Sequence, residues 1–238
     1  QAFRNVNVRG TIRLAEQAVD GGLKRFIYIS SIKVNGEKTD THPFCADDTP
    51  APEDPYGISK WETEQALQKI ATETDLEVVI IRPPLVYGPG VRANFLRLMQ
   101  MVNMGVPLPL GSIIENRRSL VALDNLVDLI ATCLNHPAAV NQTFLVSDGK
   151  DLSTRALLQY TAKALDRPAR LIPVPVSILE MVACFLGKKD FVQRLCGSLQ
   201  VDISKTQDIL GWSPLILMEA ALSKTAMHFL ANQSHTKD

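Results

Sequence analysis

The chain has 238 residues, 46% of them apolar, enough for one large domain or one and a half small ones at about 150 residues each. Its 25 Lys and Arg balance 25 Asp and Glu, and no run of like charge stands out. That excludes a nucleic-acid binder, which needs a basic footprint, and a disordered chain, which lacks apolar residues to bury.

Residues 3–20 set Val8, Ile12, Ala15 and Val19 at helical spacing, and Gly21-Gly22 closes that helix. Phe26 to Ile29 reads as a short buried strand ending at Ser30-Ser31. A polar loop follows, from about Asn35 to Pro55. Asp54 then caps a helix with Pro55 in its first position; the helix runs to about residue 74 and is expected to expose Glu62, Glu64, Gln65 and Lys69. Glu77 to Arg82 is a second buried strand, stopped by Pro83-Pro84. Helix, strand, loop, helix, strand is the rhythm of a parallel α/β sheet, in which chemistry collects at the carboxyl ends of the strands. Beyond residue 90 the pattern predicts a helix at 93–104, a strand at Arg118–Ala122, a helix at 124–135, a strand at Thr143–Val146, a helix at 153–166 and a mainly helical remainder.

The stretch from Leu171 to Leu199 is strongly apolar, with Val176, Ile178, Leu179, Met181, Val182, Phe185 and Leu186 beside Lys188-Lys189. Core packing of a smaller domain is the expectation there; a cover for the substrate cleft or a peripheral membrane contact is the alternative. Its longest apolar run, Val174 to Gly187, is interrupted by Glu180 and too short to span a bilayer. Cys45, Cys133, Cys184 and Cys196 are scattered with no C-x-x-C, and His42, His136, His228 and His235 have no close partners. No metal site is expected, and the cysteines read as reduced thiols in a cytoplasm.

Tyr56 and Lys60 form Y-x-x-x-K on one helix face. An ammonium beside a phenol favours the phenolate, so Tyr56 is expected to act as a general acid/base with its pKa lowered by Lys60. Ser31, which ends the preceding strand, can share a substrate oxygen with it, or merely cap a turn.

These residues carry a resemblance. Ile29-Ser30-Ser31 through Gly36, and Pro55-Tyr56-Gly57-Ile58-Ser59-Lys60, resemble the extended short-chain dehydrogenase/reductases, most of all their NAD(P)-dependent epimerase/dehydratase branch acting on nucleotide sugars. Asn7 to Thr11, Arg82 to Gly90, Arg118 through Asp128, and Leu210 to Pro214 are similar to four further motifs of that family, in the right order. The resemblance implies a doubly wound, Rossmann-like parallel sheet in residues 1–82 and a smaller, mainly helical substrate-binding domain in 83–238, with 118–147 returning partly to the sheet. It makes Ser31, Tyr56 and Lys60 the catalytic set. Ser30, Pro83, Tyr56 and Lys60 would hold NAD or NADP, and Ser31, Asn94 and Arg118 the nucleotide-sugar substrate, expected to be UDP-linked. An Arg suits a diphosphate because its planar fork matches phosphate oxygens. For Asn94 the bland alternative is a helix N-cap, and for Arg118 a surface salt bridge. Family members often pair through two helices, one of them carrying Tyr56, which implies a homodimer with a monomer as the alternative.

The implied reaction is 4-epimerisation of a sugar such as UDP-glucose or a UDP-N-acetyl-hexosamine in surface-polysaccharide synthesis. The alternatives are reduction of a UDP-4-keto-6-deoxy-amino sugar, a hydroxysteroid-type dehydrogenase, and a non-catalytic partner subunit. Leu85 stands where well-known sugar 4-epimerases carry Asn, Ser119 where Asp is common, and Asn35 where Tyr is frequent. These departures point away from plain UDP-glucose 4-epimerisation. None of the 13 glycines forms the G-x-x-G-x-x-G turn that cradles the cofactor pyrophosphate in the family. With Gln1 opening inside a helical pattern, further βα units are expected upstream, and the chain alone is expected not to bind the dinucleotide.

Overall fold

A computed structural model describes residues 3–185, 187 and 189–234, without the side chains of residues 189–191 and 234. A seven-residue π-helical segment, Arg4–Gly10, leads into α1 (Thr11–Asp20), β1 (Arg25–Ile29) and a 3₁₀ turn at Ile32–Val34. There follow α2 (Pro55–Glu73), β2 (Glu77–Arg82), β3 (Leu85–Tyr87), α3 (Ala93–Asn103), β4 (Leu120–Ala122), α4 (Leu123–Asn135) and β5 (Thr143–Leu145). The remainder is helical: α5 (Thr154–Ala164), α6 (Val176–Phe185), α7 (Lys189–Cys196), α8 (Ser204–Leu210) and α9 (Met218–Ser234).

The chain divides into two compact units. Gln1–Pro84, Asn125–Ser147 and Val201–Leu215 make the first; Leu85–Asp124, Asp148–Gln200 and Ile216–Asp238 make the second. In the first, three parallel strands lie in the order β1-β2-β5, with Phe26 opposite Val78 and Ile81 opposite Phe144. Because β2 is central, it is buried at every residue from Val78 to Arg82, as a strand covered on both faces requires. Ala15 and Ala18 of α1 and Leu67 of α2 pack against Tyr28, Val78 and Ile80. This is the parallel α/β sheet that the sequence rhythm implies.

The second unit holds a two-stranded parallel sheet, β3 beside β4, with Leu85 opposite Leu120. Its core gathers Tyr87, Phe95, Leu120, Leu158 and Phe229 from both strands and from α3, α5 and α9. Ser153 caps α5 by accepting from the Ala156 amide at 3.1 Å.

Several expectations need correcting. The first helix opens as a π-helical segment rather than an α-helix. The strand β3 sits inside what reads as a loop motif. Glu64, expected on the surface, is fully buried, because it meets a buried arginine described below. In α6 only Ala183 is buried, while Ile178, Met181, Val182 and Phe185 are exposed, Phe185 by 87%. Those four, spaced i, i+3, i+4 and i+7, form an outward stripe and not the expected core. The adjoining Lys188 lies outside the described residues, as does the Lys189 side chain.

Candidate active site

The first unit brings Ser30, Ser31, Tyr56, Lys60 and Pro83 to the carboxyl ends of β1 and β2. Two bonds extend the strand pairing past the strand ends: the Ser30 amide donates to Ile81 O at 2.7 Å and the Ile32 amide to Pro83 O at 3.0 Å. Pro83 is thereby locked beside the Ser30-Ser31 corner. Ser31 is extended, and its Oγ accepts from the Lys33 amide at 3.3 Å, capping the 3₁₀ turn. The turn-capping role weighed from sequence is therefore real, and the hydroxyl proton stays available to a second partner.

The helix carrying Tyr56 starts where Asp54-Pro55 said it would. Asp54 Oδ1 accepts from the Gly57 amide at 2.6 Å. Gly57 is what lets this first turn approach the Ser31 corner. A Cβ there would stand 2.8 Å from Lys33 O and 3.2 Å from Pro52 Cβ.

Lys60 is oriented differently from the sequence expectation. Its ammonium donates to Ile29 O at 2.8 Å. It lies 4.6 Å from the centroid of the Tyr28 ring and 5.8 Å from that of Tyr56, so both aromatic faces contribute cation–π attraction. Burial lowers the Lys60 pKa, with Glu64 opposing. The Tyr56 phenol is half-buried, and burial pushes its pKa up; Lys33 is the cation that pulls it down, and Asp54 raises it. The expectation that Lys60 lowers the Tyr56 pKa is thus corrected. Lys60 is turned toward a strand-end carbonyl, and the electrostatic pull on the phenol comes from a residue the sequence reading passed over.

Ser30 has a buried Oγ with no hydrogen-bond partner among the described residues. A buried hydroxyl left unpaired costs stability, and one at a strand's carboxyl end, beside Lys60 and Pro83, fits a ligand that supplies the missing partner. The residues present therefore fit the nicotinamide–ribose end of a dinucleotide, which Ser30, Tyr56, Lys60 and Pro83 would hold if it bound there.

A buried anchor lies under this shelf. Arg82, the last residue of β2, grips Glu64 of α2 in a fork: Nε to Oε1 at 3.0 Å and Nη2 to Oε2 at 2.6 Å. Its Nη1 donates to Asn35 Oδ1 at 3.0 Å, and Asn35 Nδ2 donates to Cys45 O at 2.8 Å.

Asn94 and Arg118 belong to the second unit. Asn94 is exposed in the first turn of α3, whose N-cap is Arg92, so Asn94 is not the cap. Arg118 is half-buried; its Nη1 donates to Arg194 O at 2.6 Å and Gly197 O at 3.2 Å at the end of α7. Ser119 donates to Asp151 Oδ1 at 2.5 Å. Among the described residues no group of three or more His, Cys, Asp or Glu could hold a metal, and no helix is long and apolar enough to cross a membrane.

The parallel sheet, the serine corner and the Tyr56/Lys60 helix define a class: the chain belongs to the NAD dependent epimerase/dehydratase family, whose model matches residues 1–147. It is 54% identical over 229 residues to a UDP-glucose 4-epimerase of Vibrio cholerae, a match covering 96% of this chain and 70% of the relative. It is 27% identical over 221 residues to an N-acetyl-alpha-D-glucosaminyl-diphospho-ditrans,octacis-undecaprenol 4-epimerase of Escherichia coli O157:H7, covering 85% of this chain and 65% of that one. Among solved structures, UDP-glucuronic acid 4-epimerase from Bacillus cereus in complex with NAD has a TM-score of 0.76 at 20% identity, covering 95% of this chain and 68% of that chain; that likeness is one of fold.

Proposed function

We propose that this chain carries the proton-transfer and sugar-nucleotide part of an NAD-dependent 4-epimerase acting on a UDP-linked hexose. The observation that carries the reading is the carboxyl end of β1, where Lys60 donates to Ile29 O, Ser31 Oγ caps the next turn and the buried Ser30 hydroxyl has no partner among the described residues. The 54% identity to a UDP-glucose 4-epimerase supports the substrate class.

In this reading Tyr56 takes the proton of the sugar 4-hydroxyl and gives it back, and Ser31 donates a hydrogen bond to the same oxygen. Lys60 and Ser30 hold the cofactor ribose end, Pro83 lines its nicotinamide end, and Asn94 and Arg118 hold the substrate diphosphate. When bound, the nicotinamide dinucleotide supplies hydride removal and return at the sugar carbon. Residues 1–82 then act as the carboxyl-side part of the dinucleotide-binding domain and 83–238 mainly as the substrate side. We place the protein in the cytoplasm, its cysteines being free; the family resemblance implies a homodimer, with a monomer as the alternative.

The sequence departures at Asn35 and Ser119 do not count against 4-epimerisation. Both side chains are buried and hydrogen-bonded inside the protein, to Arg82 and Cys45 and to Asp151. The test is interconversion of UDP-galactose and UDP-glucose, and of the two UDP-N-acetyl-hexosamine epimers, by the full-length enzyme with NAD. Absence of turnover with both pairs would overturn the reading. A second substrate, the same sugar diphosphate carried on a polyprenol, is favoured by the exposed stripe Ile178, Met181, Val182 and Phe185 and by the undecaprenol-linked relative. Turnover of the polyprenyl-linked sugar without turnover of the UDP-sugars would select it.

A further inference from the structure

Lys33 follows Ser31 by two residues, and Asp54 precedes Tyr56 by two. In space they meet: Lys33 Nζ lies 2.5 Å from Asp54 Oδ2 and 2.7 Å from Glu37 Oε1. The other carboxylate oxygen of Asp54 accepts from the Gly57 amide at 2.6 Å. Lys33 makes two further contacts with the site through its backbone. Its amide donates to Ser31 Oγ, and its carbonyl is the atom that a Cβ at Gly57 would strike. A second stitch, from the Ala51 amide to Val34 O at 2.9 Å, ties the lead-in of α2 to the same turn.

We propose that the Lys33–Asp54 ion pair is a positioning device that straps the Ser31 turn to the first turn of the Tyr56 helix and sets the charge balance in which Tyr56 exchanges its proton. The inference rests on Tyr56 being the proton-moving group. Neither residue touches substrate in this scheme; both act through Ser31 and Tyr56. The pair is partly buried, with 26% and 30% of the two side chains exposed, so its charges are only partly screened by water. Among the described residues, the charged and titratable groups around Tyr56 come from three elements. From its own helix come Asp54 and Lys60, from the Ser31 turn Lys33 with Glu37 behind it, and from β1 Tyr28. The π-helical side presents the Phe3 ring, edge-on at 5.7 Å, and the nearby Arg4 is paired with Glu62.

Two variants of the full-length protein separate electrostatic positioning from mere structural support. Lys33→Met removes the cation and leaves Asp54 acting on the phenol, which raises the Tyr56 titration midpoint. Asp54→Ser keeps a capping hydroxyl for the Gly57 amide but removes the anion, which lowers the midpoint. Loosening of the turn would do otherwise: burial is what pushes Tyr56 up, so any loosening lowers the midpoint in both variants. The readout is the ultraviolet phenolate titration of each protein minus that of the same protein bearing Tyr56→Phe, which cancels the other tyrosines and needs no substrate. The expected result is displacement in opposite directions, by roughly a few tenths of a pH unit each for one charge in a partly solvated site. Displacement in one direction for both, or none, overturns the proposal. Lys33→Gln serves as the second variant where Lys33→Met does not fold. If the midpoints separate as expected while the unsubstituted enzyme turns over no sugar nucleotide, the strap stands and the epimerase reading falls. If turnover is normal and the midpoints stay together, the strap falls alone.

Discussion

The Arg82–Glu64 pair is the feature whose removal the structure prices most sharply. Arg82 is 4% exposed and Glu64 is 0% exposed at their side chains, and the fork between them is bidentate. Replacing Arg82 by Met keeps the bulk and leaves an uncompensated carboxylate in the interior. Breaking a buried pair on one side costs about 3–5 kcal/mol, out of a total stability of about 5–15 kcal/mol for a protein of ordinary stability. At about 2–4 °C per kcal/mol for a chain of this size, the unfolding midpoint should drop by roughly 6–20 °C. Asn35 loses its Arg82 donor in the same change, so the turn after Ser31 loosens as well. The double variant Arg82→Met/Glu64→Leu removes both charges and should recover most of the loss, because well-packed apolar replacements of buried pairs are often neutral. Urea and thermal unfolding followed by circular dichroism measure all three proteins. A single-variant loss below about 1 kcal/mol, or a double variant as unstable as the two singles combined, would refute the argument that unpaired buried charge is the cost.

Three further outcomes are expected. Tyr56→Phe in the full-length enzyme should lower turnover by roughly 10²–10⁴-fold, the scale of a lost general acid/base, while substrate affinity changes little because the ring is retained; near-normal turnover would remove Tyr56 from the mechanism. Gly57→Ala gains up to about 1 kcal/mol of helix propensity but forces its Cβ against Lys33 O, Pro52 and Asp54, an overpacking cost of about 1–3 kcal/mol. Turnover should therefore fall more than stability does, and an unchanged kcat would show that the first turn of α2 has room to spare. Cys133 is fully buried and its thiol is pushed from 9.0 up to about 11 by burial, against the pull of Arg25. Its folded pKa is raised, so the contribution it makes is complete below about pH 9 and is lost as pH rises toward about 11; a thiol reagent at neutral pH should label the exposed Cys45 and Cys184 first, and early labelling of Cys133 would contradict its burial.

Much of this was readable from local signals. The start of α2 was written in Asp54-Pro55, and β2 in an apolar run ended by two prolines. Other features depend on residues far apart in the chain. Glu64 looks like a surface residue of a helix because its partner is 18 positions away, the charged last residue of a strand whose middle is apolar. The three residues of β3 show no alternation to detect, and only pairing with β4 makes them a strand. α6 is the reverse case: its composition argues for burial, yet its apolar stripe faces outward. The Tyr56–Lys60 motif was visible, but where the ammonium points was not, since that depends on the Ile29 carbonyl at the end of another strand.

The side chains of α2 explain why its orientation escapes a hydrophobicity argument. Tyr56, Lys60 and Glu64 recur every four residues along one face of the helix, and each is held by a polar partner or a ring. Tyr56 meets Phe3 edge-on, Lys60 donates to Ile29 O, and Glu64 takes the Arg82 fork. Burial deepens along this series, from the half-buried Tyr56 and Lys60 to the fully buried Glu64. A helix held by an apolar stripe alone could rotate a few degrees at little cost, because apolar contacts have no direction. Hydrogen bonds and a planar bidentate fork weaken steeply when misaligned, so they fix rotation as well as depth. The charge anchored at Glu64, two turns beyond Tyr56, therefore fixes the rotation of the helix that carries the phenol.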